Sequence, residues 1–175
     1  GKIKPYKEQD SSKQTAQEPM MATYHQSAIP MDDFINSIPR DALAEALLFA
    51  LEENKAGHCI SNSQIESMIN ERMDGNVWSK LAYEHFLEIL IYVENNFGML
   101  TAQKTRQKIQ DKVNLLAKHP YIGIIDSDFS TLFNNITVRH LKLSPNVIYY
   151  LIDENRIVIA AMLHSKQSPE TVRKT

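Results

Sequence analysis

The stretch "PNVIYYLIDENRIVIAAMLHSK", residues 145–166, decides how the rest of this sequence is read. Residues 147–152 are apolar at every position, and so are residues 157–163. A strand with one wet face alternates apolar and polar side chains, whereas a strand without that alternation is covered on both faces. Glu154 and Asn155 between the two runs suit a tight hairpin turn, because asparagine tolerates positive φ. The stretch therefore predicts a buried hairpin at the centre of a sheet. His164 and Lys166 stand where its second strand ends.

Working outward, "NITVRHLKL" (135–143) reads as a further strand and "YIGIID" (121–126) as a short apolar one. Pro120 separates them from a helical region, since proline cannot continue the hydrogen-bond ladder. Within "VWSKLAYEHFLEILIYVENNFGML" (77–100), Ser79 is a helix cap and Gly98 a helix end. Ala82, Phe86, Ile89, Leu90, Val93 and Phe97 form the inward face. A second helix is predicted from about Thr101 to Lys118, with Ala102, Ile109, Val113 and Leu116 inward. Its outer face carries Lys104, Arg106, Lys108 and Lys112, which a solvated helix face explains most simply. Two amphipathic helices with so short a connection make an antiparallel hairpin.

The front of the chain differs. Residues 1–29 are polar and aperiodic and are read as a flexible polar arm. Residues 30–75 are read as a separate helical segment. In "SIPRDALAEALLFALEENKAG", Ser37 is the expected cap, Pro39 lies in the first turn and Gly57 lies past the end. Leu43, Leu47, Ala50 and Leu51 make one stripe, which Leu48 and Phe49 widen beyond the usual surface-helix pattern. Further on, Ser63 and Glu66 form a candidate capping box. Ile65, Met68, Ile69 and Met73 then recur at helical spacing. Two such helices cannot close a core alone and need a surface to lie on.

Composition narrows the function. The net charge of −2 argues against a general nucleic-acid coat protein. It hides an asymmetry: residues 1–76 carry 7 Lys and Arg against 12 Asp and Glu, and residues 77–175 carry 12 against 9. An acidic half joined to a basic half suggests that the two complement each other or that each has a different partner. The single cysteine, Cys59, excludes an internal disulfide framework and a multi-cysteine zinc site. The six histidines show no metal-ligand spacing, and nothing calls for a cofactor. No apolar run reaches the roughly 18 residues of a membrane span. The start lacks an apolar signal core, so the expected location is cytoplasmic.

The order helix, helix, then three or four antiparallel strands meets specific motifs. "VWSKLAYEHFLEILIYVENNFG", "LLAKHPYIGI" and "VRHLKLSPNVIYYLIDENRIVIAAMLHSK" together resemble the ParE/RelE-type toxins of bacterial toxin–antitoxin (plasmid stabilization) modules. The resemblance runs from residue 77 to about 170 and rests on the order and spacing of motifs rather than on any one of them. It implies an α+β fold, a helical hairpin packed on a small antiparallel sheet, over residues 76–175. It further implies a cognate antitoxin and one of two targets. ParE-type members poison DNA gyrase and are not enzymes. RelE-type members are endonucleases acting on ribosome-bound mRNA.

For the nuclease branch the resemblance puts Arg139 and His164 at catalytic positions. Asn146 stands where an arginine is usual and Lys166 replaces the arginine after the final histidine, departures that weaken the ribonuclease reading, while "HPYIG" and the long helical hairpin sit better with the ParE side. Lys142, Lys166, Lys104 and Lys108 are the candidate target-binding cations. Residues 30–75 resemble the helical toxin-wrapping tail of an antitoxin, chiefly in "ALLFALEENKAGHCISNSQIESMINERM". Leu43, Leu47, Leu51, Ile65 and Ile69 would be its contacts with the toxin. A tether this short gives an effective concentration of order mM, enough to hold a toxin inactive in cis. A non-toxic interaction module whose front helices merely complete the core is the third expectation, and a homodimer is compatible with each.

Overall fold

A computed structural model describes residues 30–66, 76–129, 133 and 136–173. Its elements are helices α1 (Met31–Ser37) and α2 (Arg40–Lys55), strand β1 (Ile60–Ser61), the short helix α3 (Asn62–Glu66) and strand β2 (Asn76–Trp78). Helices α4 (Lys80–Phe97) and α5 (Met99–Lys118) follow, then strands β3 (Ile124–Ile125), β4 (Thr137–Leu143), β5 (Asn146–Asp153) and β6 (Arg156–His164). One 3-10 turn, Ser127–Phe129, precedes β4, and another, Pro169–Arg173, follows β6.

The quoted stretch forms the two central strands. The sheet order is β1-β2-β6-β5-β4-β3, so β5 and β6 have neighbours on both sides. Glu154 and Asn155 turn the hairpin with φ of 50° and 66°. The antiparallel part expected from the sequence is β3 to β6. Two further strands make the sheet mixed, for β2 runs parallel to β6 and β1 runs antiparallel to β2. Three residues are too few to show a strand period, which is why β2 is not legible as one.

Alternation divides the sheet into two faces. Ile148, Tyr150, Ile157, Ile159 and Met162 face α4 and α5. The inward residues there, Ala82, Phe86, Ile89, Val93, Ala102, Ile109, Val113 and Leu116, are all buried, and Leu90 and Phe97 half-buried. Val147, Tyr149, Leu151, Val158, Ala160 and Leu163 point the other way and meet α1 and α2. A bulge lies between the pairs Tyr149↔Ala161 and Tyr150↔Ile159, so Ala160 is the extra residue on β6. Ala160 and Ala161 both lie in the core shared with α2. Ala42, Ala46 and Ala50 supply the small side chains of the helix, which allows close approach.

Strand β2 stops at Trp78, and α4 takes over the edge of β6. Ser79 donates its N–H to Ile159 O (2.9 Å) and its hydroxyl to Ala160 O (3.3 Å). His85 Nδ1 accepts from Met162 N–H (3.1 Å). The Ser79 hydroxyl also caps α4, accepting from Ala82 N–H at 2.9 Å as expected.

Two expected caps shift. Ser37 closes α1, donating to Phe34 O, and α2 is preceded by Pro39 without a side-chain cap. The capping box falls on Ser61 and Gln64, whose side chains each accept the other's backbone N–H (3.2 and 3.0 Å), rather than on Ser63 and Glu66. The predicted positions Met68, Ile69 and Met73 lie outside the described residues.

Candidate functional site

The front helices lie on the sheet face opposite the α4–α5 hairpin. Leu43 and Leu47 are wholly buried, and Leu51 is 7% exposed, in one core with Val147, Tyr149, Leu151 and Val158. Leu48 and Phe49, which widen the stripe, are exposed on the outer side of α2. Ile65 packs at the other side of the sheet, against the hairpin core. The chain thus passes from one face to the other around the β1–β2 edge. There Asn62 accepts from the buried Trp78 indole N–H (2.9 Å) and donates to Asn114 Oδ1 (2.8 Å).

Polar contacts edge this contact. Asp32 pairs with Lys142 at 2.6 Å, and that hydrogen bond, with the lysine charge, holds the Asp32 carboxyl below its usual range. Arg40 Nη1 reaches Asp126 (3.4 Å) and Asp128 (3.3 Å), and its guanidinium lies 5.4 Å from the Phe129 ring centre. Asp41 pairs with Arg173 at 3.3 Å. At the far end of α2, Asn54 donates to Asp153 (3.0 Å) and accepts from Arg156 (3.4 Å). Glu53 accepts the Lys80 N–H at the start of α4 (3.0 Å), a favourable site for a negative charge. An open polar cleft of about 410 Å³, lined by Asn54, Lys55, Asp153, Glu154 and Arg156, marks this end.

Under the front helices the sheet carries polar groups that sequence reading missed as a site. His140 pairs with Tyr149 across β4 and β5, their ring centres 5.6 Å apart. Burial holds the His140 imidazole below its usual pKa and pushes the Tyr149 phenol up to about 12. Tyr149 is wholly buried, and its hydroxyl lies next to the Arg40 guanidinium, whose charge and hydrogen bonding oppose that rise. The β4–β5 register was the available signal: once His140 is opposite Tyr149, the two share a face with Val138 and Lys142.

Arg139 and His164 both face the hairpin layer, but apart. Arg139 donates to Tyr121 O (3.0 Å) and Gly123 O (2.8 Å), and its guanidinium sits 5.2 Å from the Tyr121 ring centre. It therefore ties down the loop after α5. His164 is wholly buried, edge-on to Tyr92 (5.3 Å), and its Nδ1 accepts the Lys166 N–H (3.1 Å). Burial, then the Lys166 charge, lower its pKa to about 4. Arg139 stands opposite Tyr150 and His164 opposite Asn146. At about 3.4 Å per residue, they are some 14 Å apart along the strands. This placement does not bring them together around one substrate atom.

Lys104 and Lys108 are exposed on α5, remote from the sheet face, and Lys166 is half-buried after β6. The Cys59 thiol is pushed up to about 11, chiefly by burial, and so is a poor nucleophile. Among the described residues, no group of His, Cys, Asp and Glu could hold a metal, and no helix is long and apolar enough to cross a membrane.

A two-helix hairpin packed on one face of a six-stranded mixed sheet is an α+β architecture consistent with the ParE/RelE-like fold. A family model described as "ParE toxin of type II toxin-antitoxin system, parDE" matches residues 77–169, more than half of the chain. The chain belongs to this ParE toxin family. Comparison with curated proteins finds no match. Family membership implies an antitoxin partner.

Proposed function

We propose that this chain is a ParE-like toxin held inactive in cis, with α1 and α2 on the sheet face that a separate antitoxin would occupy. The observation that carries this reading is the burial of Leu43, Leu47 and Leu51 against β5 and β6, on the side away from the toxin's own hairpin. The acidic front and basic rear fit it, because Asp32 and Asp41 of the front meet Lys142 and Arg173 of the rear. Residues 30–75 then act as the antitoxin-like segment and residues 76–175 as the toxin. Within the front segment the masking part is α1 and α2, while β1 and Asn62 complete the β2 edge and the Trp78 environment. The setting is the bacterial cytoplasm.

DNA gyrase is the target we favour. The family match and the separation of Arg139 from His164 support it over a ribosome-dependent mRNA endonuclease. The test expresses the full chain and its Leu47→Asp variant. Wild type should be tolerated, and the variant should arrest growth and inhibit supercoiling by purified gyrase. Equal growth of both strains, with the variant soluble and its Trp78 fluorescence native, would sink the masking reading. Growth arrest accompanied by mRNA cleavage and unaffected gyrase would shift the target to the ribosome.

A further inference from the structure

At one corner of the covered sheet face, four groups converge on a single guanidinium. Arg40 lies between α1 and α2, where Ile35 O accepts from Nη2 (3.1 Å). Its Nη1 meets the carboxylates of Asp126 and Asp128, and its plane lies near Phe129. Asp126 and Phe129 are 9% and 2% exposed. Tyr149 is wholly buried, and its hydroxyl lies within reach of Arg40, whose charge and hydrogen bonding oppose the upward shift that burial causes. The backbone makes the corner rigid. Asp126 N–H is bonded to Val138 O (2.9 Å), and Asp126 Oδ1 accepts the Asp128 N–H (3.2 Å).

This arrangement suits arginine rather than lysine. A guanidinium is flat, stacks on an aromatic face and presents several donors in a fixed fork, whereas an ammonium is a compact, strongly hydrated point charge. We infer that the Asp126–Asp128–Phe129–Tyr149 corner is an arginine-recognition site. It selects the front segment in cis and would select any separate chain that replaces it. The inference deepens, and rests on, the reading that α1 and α2 stand in an antitoxin's place. The partner it fits is an amphipathic helical segment. Its arginine precedes the apolar stripe, as Arg40 precedes Leu43 and Leu47, and an acidic residue further upstream meets Lys142, as Asp32 does.

The first test measures amide exchange over residues 42–51 in the full-length chain. Arg40→Ala and Arg40→Lys should both accelerate it by about tenfold or more, the size expected for losing a hydrogen bond to a charged group. Asp128→Asn, at an exposed position that leaves the core intact, should accelerate it in the same direction by a smaller factor. Wild-type exchange in Arg40→Lys, or in Arg40→Ala and Asp128→Asn together, overturns the site.

The second test adds a fluorescent peptide of residues 30–56 to the full chain carrying Leu47→Asp. That peptide should bind about tenfold more tightly than the same peptide with Arg40→Ala. Equal binding, or none by either, overturns the site. Growth arrest by Leu47→Asp is a separate readout, so failure of the corner and failure of masking are distinguishable.

Discussion

Gly123 leaves no room for a side chain. A Cβ there would meet the Tyr150 hydroxyl at 2.6 Å and His140 O at 2.9 Å. Its N–H donates to that hydroxyl (2.9 Å), which in turn donates to Pro120 O (2.8 Å). Gly123→Ala should therefore push the loop off β5 and cost about 1–3 kcal/mol, read as a lower thermal midpoint.

His164 gives a pH signature at the same scale. Its folded pKa of about 4 lies below the unfolded value near 6.5, so the unfolded chain binds the proton more readily. Stability is then full above about pH 6.5 and falls as the pH drops towards 4, by about 3 kcal/mol for this group at most. His164→Phe, which keeps a ring against Tyr92, should flatten denaturant midpoints measured between pH 6.5 and 4. An unchanged slope would assign the effect elsewhere.

Among the elements, α2 separates buried from exposed apolar residues clearly. Leu47→Ala should destabilise by about 2–5 kcal/mol, as for a large-to-small change in a closed core. Phe49→Ala, at a position 53% exposed, should change stability by about 0.5 kcal/mol or less. Chemical denaturation of the two variants checks this. Strands β5 and β6 were legible to the residue because their apolar runs end abruptly at turn chemistry. The Ser79 cap and the Gly98 stop were legible for the same local reason. Helix α1 was not, since Asp32 and Asp33 interrupt a segment of seven residues that only the sheet stabilises. The parallel pairing of β2 with β6 is non-local and has no signature in three residues.

Over the whole molecule, the front segment is held by apolar contact in its middle and by charge at its rim. Exposed ion pairs are worth about 0–1 kcal/mol each and weaken in salt, whereas the leucine stripe does not. Raising sodium chloride from about 0.05 to 1 M should speed amide exchange in α2 by less than about tenfold. Opening by salt alone would mean that charge, not burial, holds the segment. The charge asymmetry of the two halves was visible in the sequence, and so was the stripe that docks. The polar set beneath it was not, because His140, Tyr149, Arg40 and Asp126 meet only through strand register and the helix placed above it.

Gly57 closes α2 with φ of 75°, exposed, with nothing within 4 Å of where a side chain would start. Beyond it the chain enters β1, which belongs to the edge of the sheet. A single backbone nick at this glycine would leave every contact of α2 in place yet remove the covalent link. Docking of α1 and α2 would then depend on how concentrated the two fragments are, and the complex would come apart on dilution.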